Sequence, residues 1–183
     1  MLNSFQLTKK HRKISPFKID FNKGLSVIVG ENGSGKSTIL ELLIHSNVYK
    51  NICSINYSGK PQFLFFDTEK NNPRVNQPRD ESYTQDIMMR FSSHGEAMFP
   101  ILEHLKTEKN KVIFIDEPEA GLSLKNQVKL LKVFDDAINN GCQVIISTHS
   151  YLIIQSVEKV FCLNRKRWIK SQTFLKPFIN NKE

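Results

Sequence analysis

The sequence predicts an α/β sandwich built on a mainly parallel sheet. Three observations carry that expectation. Short, unbroken apolar runs of strand length recur along the chain, segments of helical periodicity alternate with them, and a glycine-rich turn joins the first buried run to the first helix. Unbroken runs suit strands covered on both faces, as in a parallel sheet with helices on either side.

Taken in order, Phe17–Phe21 alternates apolar and polar residues as an edge strand would, and Asn22-Lys23-Gly24 turns the chain. Leu25–Val29 is a continuous apolar run, read as a buried strand. Ser37–Ser46 is read as a helix with Ile39, Leu40, Leu43 and Ile44 on one face, and Gln62–Phe66 as a second buried strand. The polar stretch 67–90 is expected to be loop with a short helix near its end. Helix 95–106 follows, with apolar residues at Met98, Ile101, Leu102 and Leu105. After it come strand Lys111–Ile115, helix Leu124–Asn139 closed by Gly141 as a C′ glycine, and strand Gln143–Ser147. A short helix Tyr151–Val157 and strand Val160–Leu163 end the expected regular structure.

A chain of 183 residues is expected to form one domain, 1–183. With 39% hydrophobic and 24% charged residues it reads as soluble and globular. No run approaches the ~20 apolar residues of a membrane span, and the segment 1–13 has no apolar core of a secretory signal. Cys53, Cys142 and Cys162 lie far apart without metal-ligand spacing, which suits reduced thiols in a cytoplasmic protein. The net charge of +8 gathers in two clusters: Lys9, Lys10, Arg12 and Lys13, then Arg165, Lys166, Arg167 and Lys170. Such clusters suit nucleic acid phosphates, although a lysine-rich solvated surface reads the same way.

Gly30-Glu31-Asn32-Gly33-Ser34-Gly35-Lys36-Ser37, followed by Thr38, fits G-x-x-x-x-G-K-[ST] at every fixed position, with a buried strand before it and a helix after it. The glycines let backbone N–H groups converge on a phosphate, and the helix N-terminus adds positive potential. Lys36 reaches the β- and γ-phosphates of a nucleotide, and the Ser37 hydroxyl faces Mg²⁺. Lys111–Ile115 then runs into Asp116 and Glu117. At the tip of a strand expected to lie beside that of the phosphate loop, Asp116 can hold Mg²⁺. Glu117 can polarise the attacking water as general base.

Four segments in order resemble the motif set of the ABC ATPases: GENGSGKST as Walker A, Ser93-His94-Gly95-Glu96 as the signature, Asp116-Glu117-Pro118 as the Walker B extension, and Ile145-Ile146-Ser147-Thr148-His149 as the strand bearing the switch histidine. The resemblance spans most of residues 15–163. It implies a P-loop NTPase sandwich of ABC-ATPase type that binds ATP and Mg²⁺ and hydrolyses ATP. It also implies a head-to-tail dimer in which Ser93 and the Gly95 backbone meet the γ-phosphate bound by the partner subunit, while His149 contacts the γ-phosphate and orients Glu117. The stretch from Lys36 to Ser93 is much shorter than in transporter nucleotide-binding domains, so a reduced helical subdomain, about 67–107, is expected. Asp116-Glu117-Pro118-Glu119-Ala120-Gly121-Leu122-Ser123 resembles small soluble bacterial ATPases of AAA_21-like or SMC-like P-loop type rather than transporters.

The chain departs from the pattern at three places. His94 stands for the first signature glycine, Ser123 for the D-loop aspartate, and no Q-loop glutamine follows Gln62–Phe66, where Glu69 is the candidate for Mg²⁺ or water contact. The adenine-stacking residue is expected near Lys10–Arg12, with His11 as the candidate. A separate effector protein or nucleic acid is the expected partner of the ATP cycle. The competing readings are an ATP-switched nucleic-acid- or protein-binding module with slow turnover, and a transporter energy subunit. A GTPase is disfavoured because no N-K-x-D follows the loop, and a nucleotide kinase because residues 67–90 lack an arginine-rich lid.

Overall fold

The computed structural model describes residues 1–67 and 94–180. The first part contains β1 (Leu2–Leu7), β2 (Phe17–Asp20), β3 (Leu25–Val29), α1 (Lys36–Ile44), β4 (Cys53–Tyr57) and β5 (Gln62–Asp67). The second contains α2 (His94–Glu103) with a 3₁₀ turn at His104–Thr107, β6 (Lys111–Asp116), α3 (Leu124–Asn139) and β7 (Gln143–Ser147). It ends with α4 (Tyr151–Gln155), β8 (Lys159–Cys162), β9 (Arg167–Lys170) and α5 (Ser171–Asn180). The stretch 68–90 and most of the expected helical subdomain fall outside the described residues, as do Ser93 and Glu69.

The main sheet has the order β5-β6-β7-β3-β8-β9 and is parallel except for β9, which runs antiparallel to β8. Its central strands are sealed on both faces, which is why their sequences are unbroken apolar runs rather than alternating ones. Val27 and Val29 of β3, Ile113 and Ile115 of β6 and Val144 and Ile146 of β7 face one core, with Leu102, Leu105, Leu130, Phe134 and Ile153 from the helical layer. The intervening Ile28, Val112, Phe114 and Ile145 face a second core with α1 and a small antiparallel sheet of order β2-β1-β4. Three layers result, and α1 lies between two sheets. Ile39, Leu40, Leu42 and Leu43 of α1 are all buried, a wider apolar surface than a one-faced helix presents, while the expected core residue Ile44 is half-buried.

The structure corrects several expectations. β5 is not a buried strand: it pairs only with β6 at the sheet edge among the described residues, and Phe63 is 38% exposed. β6 does not adjoin β3, because β7 lies between them. The helix expected over 95–106 begins at His94 and tightens to 3₁₀ from His104, a common way for a helix to end. α4 stops at Gln155, two residues early. The chain continues in regular structure past residue 163 through β9 and α5, and opens with β1, none of which periodicity marked. Gly141 takes φ +83 after the Asn140 cap, as expected of a C′ glycine.

Among the described residues, two side chains link the two sheets by hydrogen bonds: Trp168 of β9, whose Nε1 donates to Asp20 O of β2 at 3.1 Å, and Gln143. Gln143 at the start of β7 is fully buried; its Oε1 accepts the Leu2 N–H at 2.8 Å, and its Nε2 donates to Leu2 O at 2.9 Å and Asn22 O at 3.0 Å.

Candidate functional site

The C-terminal ends of β3, β6 and β7 line up in one layer, with Asp116 paired to Ser147 and Ser147 to Ile28 in register. Loops leaving the carboxyl edge of a parallel sheet are where ligands of such folds sit. The loop 30–35 leaves β3 here and delivers Lys36 as the first residue of α1. Gly35, the N-cap, takes φ +100 and packs against Ile14, so a side chain there would be strained and would collide with Ile14. Inside the loop, the Ser34 N–H donates to Glu31 O at 3.1 Å, and the Glu31 N–H donates to Asn164 Oδ1 at 3.2 Å. Asn32 and Gly33 are exposed, and the buried Ser34 Oγ has no partner among the described residues. Ser37 is exposed at the head of α1, and the Thr38 hydroxyl is buried where it accepts from Arg12 Nη1 at 3.0 Å.

Lys36 is 5% exposed, and its ammonium reaches Gly30 O at 3.4 Å and His149 Nε2 at 2.5 Å. That imidazole nitrogen also lies 3.5 Å from Glu117 Oε1. Three residues far apart in sequence thus meet at the mouth of the loop. Burial pushes the Lys36 pKa below the ordinary lysine value, and the negative charges of Glu117, Asp116 and Glu119 partly offset this.

Asp116 and Glu117 are held by β7. The Ser147 hydroxyl donates to Asp116 Oδ1, while the Glu117 N–H lies 3.1 Å from Ser147 O and 3.3 Å from Ser147 Oγ. Glu117 adopts φ +46, a left-handed conformation unfavourable for a side chain with a Cβ. Strained backbone of this kind is concentrated at functional positions. Glu117 and His149 keep side-chain exposures of 44% and 40%, so both face the space above the loop.

Gly95 lies in the first turn of α2, and His11 packs against Tyr49 with ring centroids 5.7 Å apart, next to α1. Among the described residues the sequence reading missed three that position this site: Ser147, Asn164 and, as a contact of the switch loop, Glu119. Ser147 carried a signal, being the polar last residue of β7 after the apolar run Val144–Ile146, beside the strand that ends in Asp116. A cavity of about 650 Å³ opens on the flank between Gly30–Asn32, His149 and α5, and touches only the start of the loop.

Comparison with known proteins agrees with this fold. Residues 7–100, over half of the chain, match the family model described as "AAA ATPase domain". Residues 97–155 match a second, "AAA domain, putative AbiEii toxin, Type IV TA system". Among solved structures, the chain is similar to cbiO1 from Clostridium perfringens, part of the ABC transporter complex cbiONQ. The TM-score is 0.63 at 16% identity, over 94% of this chain and 90% of that one. It is also similar to an ATP-binding subunit of an ABC transporter, with TM-score 0.59 and 14% identity over 98% and 95% of the two chains. At such identities the likeness is one of fold: the P-loop sandwich of ABC ATPase nucleotide-binding domains.

Proposed function

The chain belongs to the AAA ATPase domain family and is an ATP-hydrolysing enzyme, and from that premise we propose that it works as a head-to-tail dimer whose ATP cycle drives a partner. The observation that carries the site assignment is the convergence of Lys36, His149 and Glu117 at the mouth of the phosphate loop, with His149 Nε2 2.5 Å from the Lys36 ammonium and 3.5 Å from Glu117 Oε1. In this reading residues 1–183 form one ATPase domain with a reduced helical subdomain, acting in the cytoplasm. No helix among the described residues is long and apolar enough to cross a membrane.

Backbone N–H groups of 30–38 bind the phosphates, and Lys36 transfers its ammonium from His149 to the β- and γ-phosphate oxygens. Burial strengthens that contact, because a desolvated ammonium gains more from an anion than a hydrated one. Glu117 accepts a proton from the attacking water, and His149, freed from Lys36, holds Glu117 and the γ-phosphate in line. Ser37 and Asp116 are the residues that would hold Mg²⁺, and their all-oxygen donor set fits. One or two protein oxygens would suffice to hold such a cation beside bound phosphates. The ion supplies charge neutralisation on the phosphates. Glu69 is a further candidate for that contact, and Ser93 with the Gly95 backbone for the γ-phosphate bound by the partner subunit. Turnover by a Glu117→Gln variant is the direct test: retained wild-type hydrolysis removes Glu117 from the role of base.

A second reading, an ATP-switched module on nucleic acid, is favoured by one contact. Lys166 Nζ donates to Ser15 Oγ, so the basic cluster after β8 lies against the basic segment before β2. Turnover and filter binding with DNA and RNA at two salt concentrations test it. Stimulated turnover with salt-sensitive binding supports the module, and no binding at low salt removes it.

A further inference from the structure

Glu119 lies in the loop after β6, two residues beyond the proposed general base. Its Oε1 accepts the N–H of His149 at 2.6 Å and the N–H of Ser150 at 3.0 Å. Its Oε2 is buried and has no hydrogen-bond partner among the described residues. On the other side the Thr148 N–H donates to Ile28 O at 3.2 Å, and Thr148 Oγ1 accepts from the Ser150 N–H at 2.9 Å. Ser150 caps α4, its hydroxyl accepting from the Ile153 N–H at 3.3 Å and donating to Gln127 Oε1 at 2.7 Å. The backbone around His149 is therefore tied to β3 before it and to α3 and α4 after it. Glu119 is what ties the amide of His149 itself.

We propose that Glu119 is a positioning residue for His149, a two-amide clasp that couples the loop after the general base to the switch histidine. The inference rests on the reading of His149 as the group that orients Glu117 and the γ-phosphate. A charged acceptor on two amides is a strong, short tether, and it spans the two segments that carry Glu117 and His149. When the loop 117–123 shifts, the clasp moves the histidine with it. One acceptor oxygen performs this task, so glutamine retains it and alanine removes it.

The test is steady-state ATP turnover and equilibrium ATP binding for Glu119→Ala, Glu119→Gln, His149→Ala and the double variant Glu119→Ala/His149→Ala. Glu119→Ala is expected to lower kcat roughly 10- to 100-fold, the cost of a small misplacement at a reacting centre, with ATP affinity within about threefold of wild type. Glu119→Gln recovers most of kcat. The double variant turns over no more slowly than His149→Ala, since two residues acting through one group are not additive. If Glu119→Ala fails to fold by circular dichroism, Glu119→Asp replaces it, because a shortened carboxylate cannot reach both amides. Wild-type kcat in Glu119→Ala, or a full multiplicative loss in the double variant, overturns the proposal. Slow His149→Ala beside normal Glu119→Ala removes this inference alone, whereas normal turnover in His149→Ala removes the switch reading and the clasp with it.

Discussion

Lys36 holds an ammonium in a place that disfavours it, and this has two measurable consequences. The charge that awaits the nucleotide is a cost in its absence, so Lys36→Met should raise the thermal midpoint of the nucleotide-free protein while removing ATP binding. Loss of a charged contact worth up to about 3 kcal/mol lowers affinity by up to roughly a hundredfold. The pH dependence follows from the direction of the shift. A lysine whose folded pKa lies below 10.5 binds its proton more tightly when unfolded. Wild-type stability therefore gains with rising pH through the window from that lowered pKa to the ordinary one. The advantage of Lys36→Met should then shrink as the pH rises towards the ordinary lysine value of 10.5, and differential scanning fluorimetry of both proteins measures it. A variant less stable than wild type at neutral pH would show that the carboxylates around Lys36 outweigh its desolvation. At Glu117 the expectation is different. Glu117→Gln keeps the size and the left-handed backbone but not the proton acceptor, so ATP binding should survive and kcat should fall roughly a hundredfold or more. Rapid-quench and equilibrium binding measurements separate the two effects.

At the scale of elements, Gln143 is a buried joint between the parallel sheet and the antiparallel one. Gln143→Leu would leave the Leu2 N–H and C=O buried without their partner, at about 1–3 kcal/mol for each unsatisfied group. A loss of about 3 kcal/mol corresponds to a fall of roughly 6–12 °C in midpoint for a chain of this size. Nucleotide affinity in the folded protein should change little, since the loop 30–38 is anchored by β3 and α1. An unchanged midpoint in thermal denaturation would count against the joint. The same residue explains what periodicity could and could not reach. β3, β6 and β7 were legible because both of their faces are buried, so hydrophobicity alone marks them. Leu2–Leu7 was not, because its burial comes from residues distant in sequence: β4, β2 and the Gln143 side chain. β5 was legible as a strand but not as an edge, since Phe63, Phe65 and Phe66 have the composition of a buried run; edge position is a property of sheet order. Sheet order was also what hid β7 between β3 and β6. In the candidate site, Lys36, Glu117 and His149 were legible because phosphate chemistry fixes residue types at fixed spacings. Ser147, Asn164 and the clasping role of Glu119 were not, because each acts on another residue rather than on the nucleotide.

For the whole molecule, the decisive question is whether one chain contains a complete site. In the proposed head-to-tail dimer the signature, Ser93 to Glu96, belongs to the composite site of a second copy, while Gly30–Ser37 remains in its own. Ser93→Arg introduces a bulky cation at the proposed interface, so monomers should still bind ATP but fail to dimerise and turn over. Lys36→Ala should fail for the opposite reason, lacking the phosphate contact while retaining its signature. Mixed in equal amounts, the two inactive proteins can form a head-to-tail heterodimer with two composite sites. One site contains both lesions, and the other pairs the intact loop of the Ser93→Arg chain with the intact signature of the Lys36→Ala chain. Turnover should reappear on mixing, rise with total protein concentration, and be lost when Glu117→Gln is added to the chain that carries the intact loop. The same substitution in the other chain should leave the recovered activity in place, because that chain's Glu117 serves the doubly damaged site. An ATP assay over a titration of one variant into the other reads all four outcomes. Normal turnover by Ser93→Arg alone would mean that Ser93 is an ordinary residue ahead of α2 and that each chain hydrolyses ATP without its partner.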